Sequence, residues 1–259
     1  SPASFLRLSR TCKIVHACVG GYIRRAFNID RHLARWFADP AAFRALQART
    51  TTLVSGSNAL QFFERTAYPG ADLDLFTPRE HMLTLALWLL QCGYAFVPAP
   101  GQMSDADLGA LALPDELGAA LEREDARDRE LDAYENMFCV IKVYTFCKAA
   151  PGGPGKPLKV QVIGSNVPPV AAVLHFHSTC VMNVISYSTA YSLYPRATFE
   201  SRRALVCPTR GLEQGPALQK YASRGWDMLP ASSSDLSLEP SFAAGPRWID
   251  DEQSWVLQL

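Results

Sequence analysis

The stretch from Thr51 to Phe76 limits what this chain can become more than any other part of it. Thr51-Thr52-Leu53-Val54 is β-branched and apolar, which predicts a strand running into Gly56. Ser57-Asn58 is expected to cap a following helix that carries Leu60, Phe62 and Phe63. Pro69-Gly70 then turns the chain. From Asp72 to Phe76 polar and apolar residues alternate, so a second strand is expected with Asp72 and Asp74 on one face. Leu73 and Leu75 fall on the opposite, buried face. A strand, a Gly-Ser turn and a helix N-terminus make a place for phosphate, because glycine lets the backbone approach and free N–H groups attract the anion. Two carboxylates at i and i+2 offer the hard oxygens that suit Mg²⁺. Phosphoryl transfer needs both parts.

Elements of ordinary kind surround this core. Phe5 to Phe27 has near-helical apolar spacing and reads as one or two helices broken at Gly20-Gly21. Asp39-Pro40 is an N-cap with proline at the first helical position, starting a helix through Phe43 and Leu46. Thr77-Pro78-Arg79-Glu80 has the pattern of a capping box, and its helix should run through Trp88 and stop at Gly93. Tyr94 to Val97 is a short strand, and residues 98–136 read as an exposed acidic insertion with a solvated helix over Leu117 to Leu131. Met137 to Phe146 and Leu158 to Ile163 form strands joined by a Gly/Pro-rich hairpin loop. A helix at Pro169 to Phe176, a strand near Cys180 to Ile185 and a helix at Ala217 to Arg224 follow. The tail from Ser232 reads as irregular, docked by Trp248 and Trp255. The aromatic pairs Trp36-Phe37 and Phe62-Phe63 are expected in the core. The expected architecture is α/β (α+β), a mixed sheet flanked by helices over 39–230, after an N-terminal helical segment at 1–38 and before a tail at 231–259.

Charge argues against a global polyanion partner: the net charge is zero and charged residues make up 19% of the chain, so there is no strong nucleic-acid signal. The balance is local. Residues 1–50 carry nine Arg and Lys against two Asp, and 105–135 carry eleven acids against three Arg. Such blocks either screen each other or, at the basic end, meet an acidic partner. Seven cysteines without a C-x-x-C pair imply buried reduced thiols and a reducing compartment, cytoplasm or nucleus. The apolar run Met82 to Leu90 is about half a bilayer span, so no membrane partner is expected. The chain opens with neither an initiator Met nor a signal-peptide pattern, so a processed or shortened N-terminus is expected.

The run Leu53-Val54-Ser55-Gly56-Ser57-Asn58-Ala59-Leu60, followed by Asp72-Leu73-Asp74-Leu75-Phe76, resembles the nucleotidyltransferase superfamily that includes DNA polymerase beta. The resemblance implies that Gly56 and Ser57 contact the triphosphate of an NTP and that Asp72 and Asp74 hold Mg²⁺ or Mn²⁺. The superfamily places a third carboxylate on a later strand, and here Leu158-Lys159-Val160-Gln161-Val162-Ile163 puts Gln161 in that position. Glutamine offers a carbonyl oxygen but neither a charge nor a base, and no acid stands between Lys156 and Ser165. The phrases SGSNALQFFER and FHSTCVMNVIS are also similar to a set of fungal proteins of no established activity, and by that similarity His177 could lie near the nucleotide site. A separate segment, Phe5-Leu6-Arg7-Leu8-Ser9-Arg10-Thr11-Cys12-Lys13, resembles the C-terminal half of an F-box, which implies a Skp-type adaptor as partner, although the Leu-Pro opening of that motif is absent. Two expectations stand: transfer of a nucleoside monophosphate to a hydroxyl acceptor, or a catalytically degenerate interaction protein of the kind that an F-box-type ubiquitin-ligase substrate adaptor represents.

Other motifs lead less far. Gly152-Gly153-Pro154-Gly155-Lys156 lacks the Ser or Thr of a phosphate-binding loop and is followed by Pro157, so it reads as a hairpin loop. His175-x-His177-x-x-Cys180 has zinc-binding residue types without a second ligand pair, and reads as structural. No Gly-x-Ser-x-Gly elbow supports serine hydrolysis.

Overall fold

The computed structural model describes residues 2–98, 139–149, 156–208, 214–231, 240–242 and 245–259. Two N-terminal helices, α1 (Pro2–Ser9) and α2 (Lys13–Ala26), lead through the short α3 (Ile29–Leu33) into α4 (Pro40–Thr50). Asp39 Oδ1 accepts the Ala42 N–H at 2.9 Å, so the Asp-Pro start of α4 forms as its sequence expects. The break in the first segment is displaced. Helix α2 runs straight through Gly20-Gly21, and the chain bends instead at Arg10–Cys12, where Cys12 Sγ accepts the Val15 N–H. A helical glycine costs only about 1 kcal/mol, and Val19 and Ile23 carry the apolar stripe across the pair.

The sheet is built from β1 (Leu53–Ser55), β2 (Leu73–Pro78), β3 (Ala95–Val97), β4 (Val140–Lys148), β5 (Leu158–Ser165), β6 (Asn183–Ile185), β7 (Thr189–Ser192) and a C-terminal strand at Trp255–Gln258. Its order is C-terminal strand, β7, β6, β1, β2, β5, β4, β3, and every neighbouring pair is antiparallel except β2–β5, which is parallel. This is the mixed α/β architecture that the residue pattern predicts. A β-hairpin between β4 and β5 forms as expected, with a bulge between Val140 and Lys142. The region 99–138 and the loop 150–155, where an acidic insertion and a phosphate-loop look-alike were read, lie outside the described residues.

Alternation on the strands sorts the core into two clusters. Leu73, Leu75, Val160, Val162, Tyr144 and Phe146 pack with Phe43, Leu46, Leu85 and Leu89 of α4 and α6 (Met82–Gln91). Phe37 is stacked on Phe43 at 4.4 Å and meets the edge of Trp88 at 4.9 Å. Trp36, Phe37, Phe62 and Phe63 are all at most 3% exposed, as core aromatics. Each buried side chain of this size stabilises by roughly 1.5–3 kcal/mol. Phe76, Ile163 and Val143 face the other way, against Ala172 and Val173 of α7 (Pro169–Val173) and against Phe176.

Several local expectations yield to tertiary structure. Thr77 does not cap a helix: strand pairing continues through Thr77↔Gly164 and Pro78↔Ser165, and the Thr77 hydroxyl accepts from Thr52 at 3.0 Å. A 3₁₀ turn at Arg79–His81 then precedes α6, which ends before Gly93 (φ +80) as expected. The helix expected to continue to Phe176 stops at Val173, and a 3₁₀ turn at Thr179–Val181 shortens the strand after it. The tail is not irregular throughout, because Trp255–Gln258 pairs with β7 as an edge strand. Trp255 packs on Phe27 and Phe63, both at 5.2 Å, whereas Trp248 is 74% exposed. A second, two-stranded parallel sheet joins β8 (Arg203–Val206) to β9 (Asp227–Pro230), flanking α8 (Gly215–Ala222).

All seven thiols are free. Cys139 and Cys180 are buried as expected, but Cys12 and Cys18 on the N-terminal helices are exposed. No helix among the described residues is long and apolar enough to cross a membrane.

Candidate functional site

Three adjacent strands bring one row of side chains together. Ser55 on β1 pairs with Asp74 on β2, and Asp74 pairs with Gln161 on β5. Paired positions in a sheet point to the same face. Asp74 and Gln161 are therefore neighbours, each 4% exposed. The helix α5 (Gly56–Glu64) starts directly from β1, so its first turn hangs over the same row. Gly56 has φ +62, and a Cβ placed there would stand 2.4 Å from Asp74 Oδ2. Only glycine satisfies both demands, the left-handed backbone and the contact with a carboxylate.

Ser57 and Asn58 lie inside the first turn of α5 and do not cap it. The N-cap is Ser55, which makes no side-chain cap bond because its Oγ donates to the Asn183 carbonyl at 2.6 Å. Ser55 thus gives the leading N–H groups of α5 no side-chain cap, and a helix N-terminus favours an anion. Ser57 is buried at 6%, and its carbonyl accepts from Gln61 Nε2 at 3.0 Å.

The two aspartates differ in setting. Strand β2 begins at Leu73, so Asp72 precedes it at the rim, partly exposed, and pairs with Lys159 Nζ at 3.3 Å. Lys159 stands two residues before Gln161 and so shares its face. Helix α8 adds more cations. Partial burial, then the charge of Arg224, lowers the Lys220 pKa, with the charges of Asp74 and Asp72 acting in the opposite direction. One turn on, the Arg224 guanidinium lies 3.8 Å over the Tyr68 ring. His177 packs on Tyr221 at 5.4 Å, with Nδ1 2.8 Å from Ser178 Oγ. Burial, then the charge of Lys220, push its pKa down to about 4, so the imidazole is neutral at pH 7.

Asp72 therefore meets Lys159, and the charges of both aspartates are felt at Lys220. Sequence reasoning missed these cations. Lys159 was readable from its spacing to Gln161; Lys220 carried no signal, since only tertiary packing brings α8 to β2. Of the other motif residues, His175 turns away, its Nδ1 donating to the Ala171 carbonyl at 2.8 Å, while Cys180 Sγ lies 3.4 Å from the Ser178 hydroxyl that also meets His177, its thiol pKa pushed up to about 12 by burial. Among the described residues no group of three or more His, Cys, Asp or Glu stands together as a metal site. A larger cavity of about 750 Å³, between α1–α2 and the C-terminal segment, is lined by none of the residues in this row.

Chemically, the row offers a helix N-terminus and ammonium groups for phosphate, and carboxylate oxygens for a cation. Among the described residues a bare divalent ion would meet two carboxylates here, and Asp72 is paired with Lys159. A cation arriving with phosphate oxygens of its own suits that donor set, since Mg²⁺ is commonly held by one or two carboxylates together with substrate phosphates. Compared with models of protein families, with curated proteins and with solved structures, the chain matches none.

Proposed function

We propose that the Gly56–Asp74 edge binds a nucleoside triphosphate together with Mg²⁺, within a nucleotidyltransferase-like fold, and passes its nucleoside monophosphate to a hydroxyl acceptor. The observation that carries this reading is the contact between Gly56 and the Asp74 carboxylate. It sets the phosphate-attracting turn and the cation-attracting oxygen against each other, so one ligand can touch both. Asp72 and Asp74 would hold Mg²⁺ or Mn²⁺, which neutralises charge on the phosphates. Gly56, Ser57 and Lys220 bind and orient the triphosphate, and Lys159 positions Asp72. The acceptor oxygen attacks the α-phosphorus, the bond to the β-phosphate oxygen breaks, and pyrophosphate leaves. Gln161 takes no proton, so the acceptor's proton passes to solvent and the transfer is slow.

Gln161→Asp is accordingly expected to raise pyrophosphate release by about a hundredfold, the lower end of what a positioned base contributes. Release that stays at background in a variant that still binds nucleotide would remove transfer from this reading.

A second reading, as an interaction protein, has a specific observation behind it. Helices α1 and α2 bury no residue at all, and they leave Leu6, Leu8, Ile14 and Tyr22 exposed. The segment that resembles part of an F-box, Phe5 to Lys13, runs from α1 to the start of α2, and in this reading the apolar face of the two helices docks on a Skp-type adaptor. Leu8→Asp with Ile14→Asp should leave stability within about 0.5 kcal/mol, as exposed substitutions do, while abolishing capture of a purified adaptor. Capture undiminished in the double variant, or absent in the parent chain, would sink the docking face. Seven free thiols fit a reducing compartment for either reading.

A further inference from the structure

A cavity of about 280 Å³ opens beside α5, lined among other residues by Arg31, His32, Arg35, Asn58, Phe62 and Arg65. Three guanidinium groups line it and no carboxylate does. Among the described residues, neither Arg31 nor Arg35 makes an ion pair. Arg65, Arg35 and His32 are held in place by neighbours in the fold. Arg65 Nη1 donates to the Tyr22 hydroxyl, and its guanidinium lies 5.5 Å over Phe27 and 5.7 Å over Tyr22. Arg35 lies 5.1 Å over Trp36. His32 Nε2 and Asn58 Oδ1 are 2.7 Å apart, and since the oxygen can only accept, the imidazole donates. Burial lowers the His32 pKa, so the positive charge here comes from the arginines alone at pH 7.

Arg31, Arg35 and Arg65 are solvent-exposed, and like charges gathered around a concave surface attract an anion to it. Their planar forks match the tetrahedral oxygens of a phosphate dianion better than they match a point charge. Phe62 supplies an apolar wall. The volume falls just below the range usual for drug-sized ligands, which sets an upper limit on the guest. We infer that this cavity is a second ligand site, taking a small phosphate monoester whose dianion rests among Arg31, Arg35 and Arg65. It is separate from the Asp72–Asp74 edge, although α5 serves both, with its N-terminus at one and its flank at the other.

The test is calorimetric titration with phenyl phosphate, alongside inorganic phosphate, read together with the NMR signals of the arginine Nε–H groups. Phenyl phosphate should bind with a Kd below about 1 mM and shift the Arg65 signal. Arg31→Gln with Arg35→Gln should weaken binding by at least about tenfold, and both are surface side chains whose replacement spares the core. Asp72→Asn with Asp74→Asn should leave phenyl phosphate binding unchanged, which keeps this site distinct from the proposed nucleotide site. Equal affinity in the arginine variant, or no binding at about 10 mM, would overturn the site. Inorganic phosphate binding as tightly as phenyl phosphate would overturn the assignment of an ester.

Discussion

Replacing Gly56 with alanine is expected to destabilise the protein by about 3 kcal/mol. Two costs add. A non-glycine residue at φ +62 pays roughly 1–2 kcal/mol for the left-handed conformation. The new Cβ would also stand 2.4 Å from Asp74 Oδ2, and overpacking of a close contact typically costs about 1–3 kcal/mol. For a domain of this size each kcal/mol lowers Tm by about 2–4 °C, so a drop on the order of 6–12 °C should appear in thermal unfolding. The two costs can be separated with a double-mutant cycle. Asp74→Ala removes the oxygen that the methyl group would strike. Gly56→Ala should therefore cost about 1–2 kcal/mol less in that background, leaving the backbone part. An equal cost in both backgrounds would mean that turn and carboxylate are not in contact, and the carrying observation for nucleotide binding would fall with it.

Asp72→Asn with Asp74→Asn is expected to abolish stabilisation by Mg²⁺ and nucleotide while keeping the fold. Asparagine preserves the shape and one carbonyl oxygen but removes both negative charges. In the parent chain, an NTP at about 100 times its dissociation constant should add roughly 2.7 kcal/mol of stability in Mg²⁺, several degrees in Tm. The shift should vanish with EDTA and in the double variant. A shift that survives the variant would move the cation elsewhere. No shift with any nucleotide in the parent chain would leave the interaction reading, with α1 and α2 as its docking face.

How much of this was legible in the residues depends on how local each cause is. The strand–turn–helix–strand unit from Leu53 to Phe76 was readable because period-2 alternation and one glycine specify it within a short window. The Asp39 cap and the stop at Gly93 were readable for the same reason. Thr77 was misread because its capping pattern competes with a hydroxyl chain, Thr50 to Thr52 at 2.7 Å and Thr52 to Thr77 at 3.0 Å, whose members are brought together only by folding. Ser57 lies two residues past the actual N-cap, Ser55, which spends its hydroxyl on Asn183 across the sheet. The C-terminal strand has four residues and no turn signal of its own, so nothing local separates Trp255–Gln258 from coil. At the site, Asp72, Asp74, Gly56 and Gln161 came from spacing and resemblance, and the structure brings Gly56, Asp74 and Gln161 together. Lys220 lies in a helix whose own periodicity says nothing about β2.

The pairing of β2 with β5 has a consequence for how the chain finds its native state. Along β2 the residues alternate between the Leu73/Leu75 side and the Asp74/Phe76 side, and Leu75 sits in register with Val162. A slip of one residue would exchange the two sides and drive the carboxylate of Asp74 into the apolar cluster around Phe146 and Leu89. An unpaired charge there costs far more than any misaligned ladder could return. The charge proposed to hold a ligand thus also rejects the competing alignment during folding, before any ligand is present. An apolar residue at 74 would leave both alignments acceptable to the core. The proofreading of strand alignment and the chemistry of the site rest on the same carboxylate.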